Sequence, residues 1–496
     1  MEEHPGGKAI LLKHAGKDVS QLFHKYHGPH VLADHQRLLV RSLSGAERKE
    51  VEERSPMLYE SAGWSLGFPS PYYKESHHKL RECVRSWVHD KISPLLPLCE
   101  KRQFPFKEII KESASAGLLA ATSIIPFPSQ YLQHPQIMGG AVPPEDFDYF
   151  HQVIIWDELA RSGSYGAGVG WFSGQCIGLP PVIAYGQGDF FHQTLIPSVL
   201  SGDKVICLAI TEPGSGSDIR STSCSAVYSS DRREFLLNGE KKWITNGIYA
   251  DYFVTAVKIY ESEEERRKNV NGRLSVVVVP RGEGVVTREM ECSGLHGTGT
   301  TFVSFSDVRV PVEYLLGKAG DGFNILTRNF NHERLFVIVV GLSLARVCFR
   351  EAFCHAQKRE VFGKSLMENG VIRKKFGMMA RELETTWAWV EQVTFLMDQL
   401  RVLKANGGGS KVESLEERLG SRVALLKGHT TKVLEFCSRE AAQVMGGLGF
   451  TKGGIGDKVE RAWRDARGFS VFAGSEEVMF DMAVRKAQRD YQKENL

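Results

Sequence analysis

A loop of small residues between two strand patterns is the feature that most limits how this chain can fold. The loop TEPGSGSD, residues 211–218, follows the apolar run VICLAI, residues 205–210, and precedes a second strand pattern. A dinucleotide site of the Rossmann kind needs a helix directly after its glycines, so that the helix N-terminus faces the pyrophosphate. Residues 219–245 have no helical periodicity, so a Rossmann site is not expected. Asn238-Gly239 instead predicts a hairpin turn in this strand region.

The same loop has the chemistry of a ligand cradle. Residues 214–217 are Gly-Ser-Gly-Ser, which offer backbone N–H donors and hydroxyls with little side-chain bulk. Such a loop suits the close approach of a planar or phosphorylated ligand. Loops of this composition are also common as plain turns. The loop alone therefore leaves both interpretations open.

Three further motifs follow the loop in a fixed order. They are KWITNG at residues 242–247, KREVFGK at residues 358–364 and QVMGGLGF at residues 443–450. In sequence and spacing, the set resembles the acyl-CoA dehydrogenase family, over about residues 75–490. The resemblance implies FAD as cofactor and an α+β fold with an N-terminal helical domain, a central β-barrel and a C-terminal four-helix bundle. The boundaries we predict are 75–204, 205–320 and 321–490.

The resemblance also implies where the catalytic base lies. The family reaction removes the proton α to a thioester carbonyl while the β-hydrogen leaves as hydride to the flavin. Many members carry a glutamate at the position of Ala473, and alanine cannot take a proton. The isovaleryl-CoA and long-chain branches carry the base in a segment that matches Asn331-His332-Glu333-Arg334-Leu335, which implies Glu333. The alternative is a first-turn helix glutamate paired with Arg334 or with solvent.

Other site residues are implied by the same alignment. The implied substrate contacts are Ser217, Asn331, Arg334 and Gly474; an arginine suits phosphate because its planar fork donates paired hydrogen bonds. The implied flavin contacts are Leu208, Ile210, Thr211, Ser217, Trp243, Thr245, Ser475 and Glu477. Contacts to the adenine half of a neighbouring subunit's FAD are implied for Arg359, Phe362, Gln443, Gly446 and Gly447. These contacts imply a homodimer or homotetramer. Gly370 stands about where the family usually has a glutamine, so the adenine-side contacts are expected to differ.

The first residues carry a second resemblance. His4-Pro5-Gly6-Gly7 and the following residues up to His27 are similar to the haem-binding half of cytochrome b5. The resemblance implies His4 and His27 as axial ligands of a haem iron, as in six-coordinate electron-transfer haems. The strands that normally precede this motif are missing, so we expect a truncated domain over residues 1–45 and a linker over residues 46–74. Adventitious metal binding and disorder remain alternatives for this histidine-rich stretch.

Charge and cysteine usage narrow the class of protein. The net charge of +3 does not indicate a nucleic-acid-binding surface. The nine cysteines are an odd number without a CxxC pair, which favours a reducing compartment over a disulfide framework or a zinc site. No apolar run is long enough to span a bilayer, and no signal or transit pattern is present. Mitochondrial, peroxisomal and cytoplasmic locations all stay open.

The function expected is the FAD-dependent α,β-dehydrogenation of an acyl-CoA thioester. Electron-transfer flavoprotein is the acceptor that the family resemblance implies. One alternative is a flavin oxidase of the same fold that uses oxygen or a non-CoA substrate, as acyl-CoA and nitroalkane oxidases do. The other is a non-catalytic flavoprotein that relays electrons. The length and branching of the acyl chain are not fixed by the sequence.

Overall fold

The chain folds into helices, then strands, then helices again. The computed structural model describes residues 12–14, 19, 23, 27, 31, 57–60, 62–407 and 409–495. The first group of helices comprises α1 Glu75–Trp87, α2 Leu96–Glu100, α3 Phe106–Ser115, α4 Leu118–Ala121, α5 Tyr149–Ala160, α6 Trp171–Tyr185 and α7 Ile196–Leu200. Helices α5 and α6 are apolar around most of their circumference and are buried along nearly their whole length.

Eight strands follow and pair into one sheet. They are β1 Ile206–Ala209, β2 Ser225–Tyr228, β3 Glu234–Ile244, β4 Tyr252–Tyr260, β5 Arg273–Pro280, β6 Val285–Glu289, β7 Thr301–Pro311 and β8 Leu315–Leu316, with α8 Glu263–Lys268 between β4 and β5. The order across the sheet is β6-β7-β3-β2-β4-β5-β8, and β1 pairs in parallel with β4. The pairing defines a sheet, and its closure into a barrel stays a prediction.

Alternate residues of the central strands enter two different cores. Val254 and Ala256 of β4 belong to the core shared with the helices, whereas Phe253 and Val257 belong to a separate core. Successive side chains on a strand point to opposite faces, which accounts for this division. Strand β4 is therefore buried on both faces, and the helices cover one of them, whereas buried residues on β7 alternate with partly or fully exposed ones along much of the strand.

The predicted hairpin turn at Asn238-Gly239 is wrong. Both residues lie inside β3, where the register with β7 shifts between Leu237 and Gly239. Gly239 has φ +142°, and a Cβ there would lie 2.7 Å from the Cα of Cys224. Asn238 exchanges hydrogen bonds with Asp307 across the irregularity. The Asn-Gly pair thus forms a β-bulge. Glycine is common in bulges as well as in turns.

The last part of the chain is a bundle of long helices. Its elements are α9 Gly322–Arg328, α10 Phe330–Lys358, β9 Glu360–Val361, β10 Lys364–Ser365, α11 Gly370–Ala405, α12 Gly409–Met445, α13 Asp457–Phe469 and α14 Glu476–Asn495. Helix α10 is buried along most of its length. Its neighbours α11 and α12 are joined by a short glycine-containing connection. None of the helices in the described ranges is both long and apolar enough to cross a membrane.

The described part of the predicted linker is packed against the helices. Trp64 is buried and stacks on Tyr73. Glu60 is 1% exposed, and its carboxylate accepts bonds from Arg161 at 2.5 Å and Arg350 at 3.1 Å. A buried carboxylate needs such partners because desolvation alone is unfavourable. Glu60 is thereby joined to α10 and to the residue directly after α5.

We expect Glu60→Gln to lower the free energy of unfolding by about 1.5–3 kcal/mol, the usual contribution of hydrogen bonds to charged groups. A glutamine at position 60 keeps one carbonyl oxygen that can accept from one of the two arginines. Its NH2 group is a donor, however, and would face the guanidinium of the other arginine. Urea unfolding would measure the loss. Glu234→Gln is the control, since Glu234 pairs with Arg309 on the surface and such pairs contribute little. Equal stability of both variants would contradict the expectation.

Candidate active site

Glu333 lies in the first turn of α10 and is buried. Its carboxylate is 7% exposed, and the side-chain amide of Asn329 donates to it at 3.1 Å. Burial raises the pKa of Glu333 to about 7, although the bond from Asn329 and the charge of Arg334 oppose the rise. A carboxylate with a pKa near neutrality is suited to accept a proton and release it again. The solvent-exposed alternative for this glutamate does not hold.

The neighbours of Glu333 are also buried. His332 has its pKa lowered by burial to about 4, so its ring is neutral near pH 7. The Sγ atom of Cys176 on α6 lies 3.8 Å from His332 Nε2. Burial, and next the Glu333 carboxylate, raise the pKa of the Cys176 thiol well above its usual range. Neither neighbour therefore competes with Glu333 as a charged group.

Arg334 connects the base to the turn between α13 and α14. It is 7% exposed, and its Nε donates to the carbonyl of Ala473 at 3.5 Å. Burial lowers the pKa of Arg334 to about 10, so it remains charged at neutral pH. The backbone of Ala473 is thus close to Arg334. The other predicted substrate residue on α10, Asn331, faces α12 at Gly420, where a Cβ would lie 3.4 Å from its Oδ1.

The loop 211–218 is held by a buried ion pair. Lys241 on β3 is 0% exposed, and its ammonium donates to the carboxylate of Glu212 at 2.8 Å and to the carbonyl of Ile210 at 3.0 Å. Glu212 also accepts from the backbone of Ser223 and of Cys224. Burial alone would raise the pKa of Glu212, but Lys241 and Ser223 outweigh it and hold the pKa below its usual range. The start of the loop is therefore fixed to β3 and to the segment that leads into β2, while Ser217 stays exposed.

The end of β3 presents an exposed indole beside this loop. The backbone N–H of Lys242 donates to the carbonyl of Thr211 at 2.9 Å, which brings the two motifs together. Trp243 is 49% exposed and has φ +60°, a conformation unusual for a side chain of this size. Strained backbone of this kind clusters at ligand sites. A large exposed ring, the adjacent Thr245 and the open Gly214 together form a surface that a flat ligand could cover.

Only one group with metal-ligand spacing occurs among the residues that the structure describes. It consists of His77, Asp148 and His151. His77 Nδ1 accepts from the backbone N–H of Lys74 at 2.8 Å, so neutral His77 carries its proton on Nε2, which faces Asp148. Asp148 in turn caps α5 by accepting from the backbone of His151. These side chains already serve as helix caps. Both ring nitrogens of His77 are engaged in hydrogen bonds, so neither is free to bind a metal.

Three family models match consecutive parts of the chain. The acyl-CoA dehydrogenase N-terminal domain matches residues 74–203, the middle domain residues 207–308 and the C-terminal domain residues 320–488. A curated acyl-CoA dehydrogenase of Emericella nidulans is 36% identical over 425 residues, which cover 85% of this chain and 92% of that protein. The chain belongs to the acyl-CoA dehydrogenase family.

More distant members of the family agree in extent and fold. The human mitochondrial short-chain specific acyl-CoA dehydrogenase is 26% identical over 82% of this chain and 88% of its own length. The structure of an acyl-CoA dehydrogenase from Bacillus anthracis, complexed with FAD, aligns with a TM-score of 0.75 at 24% identity and covers 86% of this chain and 69% of that one. The predicted order of helical, strand and helical parts is confirmed.

The adenine-side residues predicted for this acyl-CoA dehydrogenase lie apart from the strands, on the surface of the bundle. Phe362 is fully exposed in the turn between β9 and β10. The other four positions are exposed as well: Arg359, Gln443, Gly446 and Gly447. Gly446 has φ +59° and ends α12, so it also stops the helix. Ser475 and Glu477 lie at the start of α14, next to Gly474.

The amino-terminal resemblance is confirmed at the level of the domain. A cytochrome b5-like haem/steroid binding domain model matches residues 1–53. His27 lies one helical turn after Phe23: its N–H donates to the Phe23 carbonyl at 2.9 Å, and the two rings are 4.6 Å apart. His4 lies outside the described residues. Haem ligation by His4 and His27 stays a prediction.

Three buried polar residues near the site have no predicted role in the sequence. Lys241 holds the loop, and Lys427 holds the turn beside Arg334. Asn246 is buried with φ +60°, and its side chain bonds the backbone of Gly174 and Thr298. Asn246 thereby joins α6 to the loop before β7. A lysine or asparagine within an apolar strand or helix pattern is the signal that identifies such residues.

Proposed function

We propose that this chain catalyses the FAD-dependent α,β-dehydrogenation of an acyl-CoA thioester with Glu333 as the base. The observation that supports it is a buried carboxylate with a pKa of about 7, next to a turn where alanine stands at the alternative base position. In its ionised form Glu333 takes the proton from the α carbon. Because burial raises the pKa of Glu333, the carboxylate binds the accepted proton tightly enough for the transfer to proceed.

The strand side of the site fits a flavin. The exposed, strained Trp243 offers a face for a planar ring, and Gly214 and Gly216 have open space where a side chain would stand. Thr211 and Thr245 supply hydroxyls at the adjoining strand ends, and Leu208, Ile210 and Ser217 complete this side. When bound, FAD accepts the hydride that leaves the β carbon. The relative from Bacillus anthracis is described with FAD.

The thioester is proposed to lie between α10 and the turn before α14. Arg334 is charged there and is suited to a phosphate or carbonyl oxygen of the coenzyme A part. Asn331, Ser217 and Gly474 are the further proposed contacts. The buried surroundings of Glu333 exclude water from the carboxylate, which favours proton transfer from carbon.

A second copy of the chain is proposed to complete the cofactor site. A fully exposed phenylalanine at position 362 and the exposed glycines 446 and 447 form a surface that would otherwise be solvated. These residues, with Arg359 and Gln443, would contact the adenine half of the partner's FAD in a homodimer or homotetramer. Electron-transfer flavoprotein is the proposed acceptor on family grounds. A reducing compartment is supported by nine cysteines that are all free.

An anaerobic titration of the FAD-loaded protein with acyl-CoA thioesters tests the function. We expect a thioester of suitable length and branching to bleach the flavin band in proportion to the amount added. The corresponding free acids are the control, because they lack the thioester that acidifies the α carbon. Protein that binds FAD but is bleached by no thioester would refute the dehydrogenase. Stoichiometric oxygen consumption during turnover would favour the oxidase alternative.

A further inference from the structure

The turn that joins α13 to α14 has a backbone that requires support from outside. Ala473 has φ +56° and Gly474 has φ +96°, so two consecutive residues are in the left-handed region. That region is unfavourable for alanine, and such conformations persist only where the surroundings hold them. The φ of Gly474 favours glycine, and a Cβ there would also lie 2.3 Å from Met479 Cε, so that the methionine side chain would have to move. The turn is thus shaped against its local preference.

Lys427 joins the two ends of this turn. It lies on α12, it is 0% exposed, and its ammonium donates to the carbonyl of Phe469 at 2.9 Å and to the carbonyl of Gly474 at 2.5 Å. Phe469 is the last residue of α13, and Gly474 is two residues before α14. A single side chain therefore bonds the start and the end of the turn. Charge-assisted bonds of this kind are stronger than neutral ones, especially in a buried setting.

The carbonyl between these two bonds faces the active site. Ala473 accepts from Arg334 at 3.5 Å, and Arg334 follows Glu333 directly on α10. Two cations from two helices, Lys427 and Arg334, thus hold the backbone of the same turn from different sides. A shift of the turn would move the acceptor of Arg334 and, with it, the surface that faces Glu333.

We propose that Lys427 is a positioning residue of the thioester site, which fixes the turn 470–475 so that Arg334 and the turn backbone face the substrate beside Glu333. This inference rests on the proposed dehydrogenase function. Lys427 does not touch the reacting atoms; it acts through the turn. Geometric errors of about 1 Å in such supports lower rates by about 10²-fold.

A pH dependence follows from the same geometry. Burial lowers the pKa of Lys427 to about 8, while Glu476 and Glu477 oppose the shift and the charge of Arg334 adds to it. Above that pH the amine is neutral and its bonds to the two carbonyls weaken. Flavin reduction by a thioester should therefore decline as pH rises through about 8. Lys427→Arg, which stays charged, should lose this alkaline decline.

The test compares three variants of the full-length, FAD-loaded protein by anaerobic stopped-flow reduction with the best thioester. Lys427→Met removes the ammonium at similar length, Lys427→Arg restores the charge, and Lys432→Met is the matched control. Lys432 lies on the same helix, is 59% exposed and pairs with Glu476 at 3.7 Å, a long surface pair of the kind that contributes little. We expect Lys427→Met to retain FAD and to lose about 10²-fold in limiting reduction rate. Lys427→Arg should recover most of that loss, and Lys432→Met should match the wild type.

Each remaining outcome decides the proposal. Reduction of Lys427→Met at the rate of Lys432→Met would overturn it. If Lys427→Met does not fold, the Arg variant decides: an unchanged alkaline decline overturns the proposal, and its disappearance supports it. If no thioester reduces the wild type, the dehydrogenase function fails, and amide hydrogen exchange over residues 470–476 is then decisive. Faster exchange there in Lys427→Met than in Lys432→Met would show that Lys427 holds the turn, and equal exchange would overturn the proposal.

Discussion

Glu333→Gln is expected to keep bound FAD and to lose flavin reduction by an acyl-CoA thioester. Glutamine has the shape of glutamate and keeps an acceptor for the Asn329 amide, so the first turn of α10 should be preserved. It cannot take the α proton. Loss of a positioned general base lowers the rate by about 10²–10⁴-fold. Anaerobic stopped-flow absorbance at the flavin band measures the effect directly.

The pH profile provides an independent signature of the same residue. The pKa of Glu333 is raised to about 7 in the folded protein, so the wild-type reduction rate should fall as pH drops below that value. In the unfolded chain the pKa of a glutamate is about 4.3. A raised folded pKa stabilises the fold below the unfolded pKa, and this contribution is lost as pH rises through 7. Glu333→Gln should therefore melt above the wild type at pH 8, and the two should converge near pH 4.

Glu435→Gln on the exposed side of α12 is the control, since it removes one carboxylate away from the site. It should match the wild type in reduction rate and in pH profile. A Glu333→Gln protein that is reduced at a near-normal rate would remove Glu333 from the mechanism. Loss of FAD in that variant, by contrast, would show that the turn at α10 also supports the cofactor.

Sequence reasoning can address features that depend on local order along the chain. The base position could be inferred because Glu333 and Ala473 change together relative to the family pattern, and it stays a prediction until the test above is made. The strands on either side of the loop 211–218 could be predicted from the apolar run before it and the strand pattern after it. Helix α12 ends where Gly446 has φ +59°, because a left-handed residue ends a helix.

Roles that depend on distant contacts were not predictable. Asn238-Gly239 has the composition of a hairpin turn, and only its closeness to Cys224 and its bonds to Asp307 make it a bulge. Glu60 looks like a linker residue until the fold brings Arg161 and Arg350 to it. Lys427 is one of many lysines in the bundle, and its role depends on carbonyls about forty residues later in the chain. In each case tertiary contacts override the local signal.

The buried pair of Lys241 and Glu212 leads to the largest expected change in stability. Both side chains are at most 2% exposed, and together they fix the start of the loop proposed to face the flavin. Removing one member of a buried pair leaves the other charge without compensation, which costs about 3–5 kcal/mol. Removing both members costs less, because the desolvation of the second charge is also removed.

Lys241→Met is therefore expected to lower the free energy of unfolding by about 3–5 kcal/mol and to reduce the FAD content after desalting. Urea unfolding monitored by circular dichroism gives the first quantity, and flavin absorbance gives the second. Lys204→Met is the matched control, because Lys204 pairs with Asp251 on the surface at 3.0 Å. Surface pairs of this kind contribute little, so the control should remain close to the wild type.

The pH dependence of stability distinguishes the loss of the ion pair from the loss of packing. In the wild type the pKa of Glu212 lies below its usual range, so the stability from the pair is present above the unfolded pKa and is lost as pH falls. Without Lys241, burial should raise the pKa of Glu212, and protonation should relieve the variant at low pH. The difference in free energy of unfolding between Lys241→Met and the wild type should therefore shrink below about pH 5, near the pKa of a glutamate in an unfolded chain. Adding Glu212→Gln to Lys241→Met should recover part of the lost free energy of unfolding at pH 7. If the double variant is as unstable as Lys241→Met, the loss of stability is caused by lost packing and not by the uncompensated carboxylate.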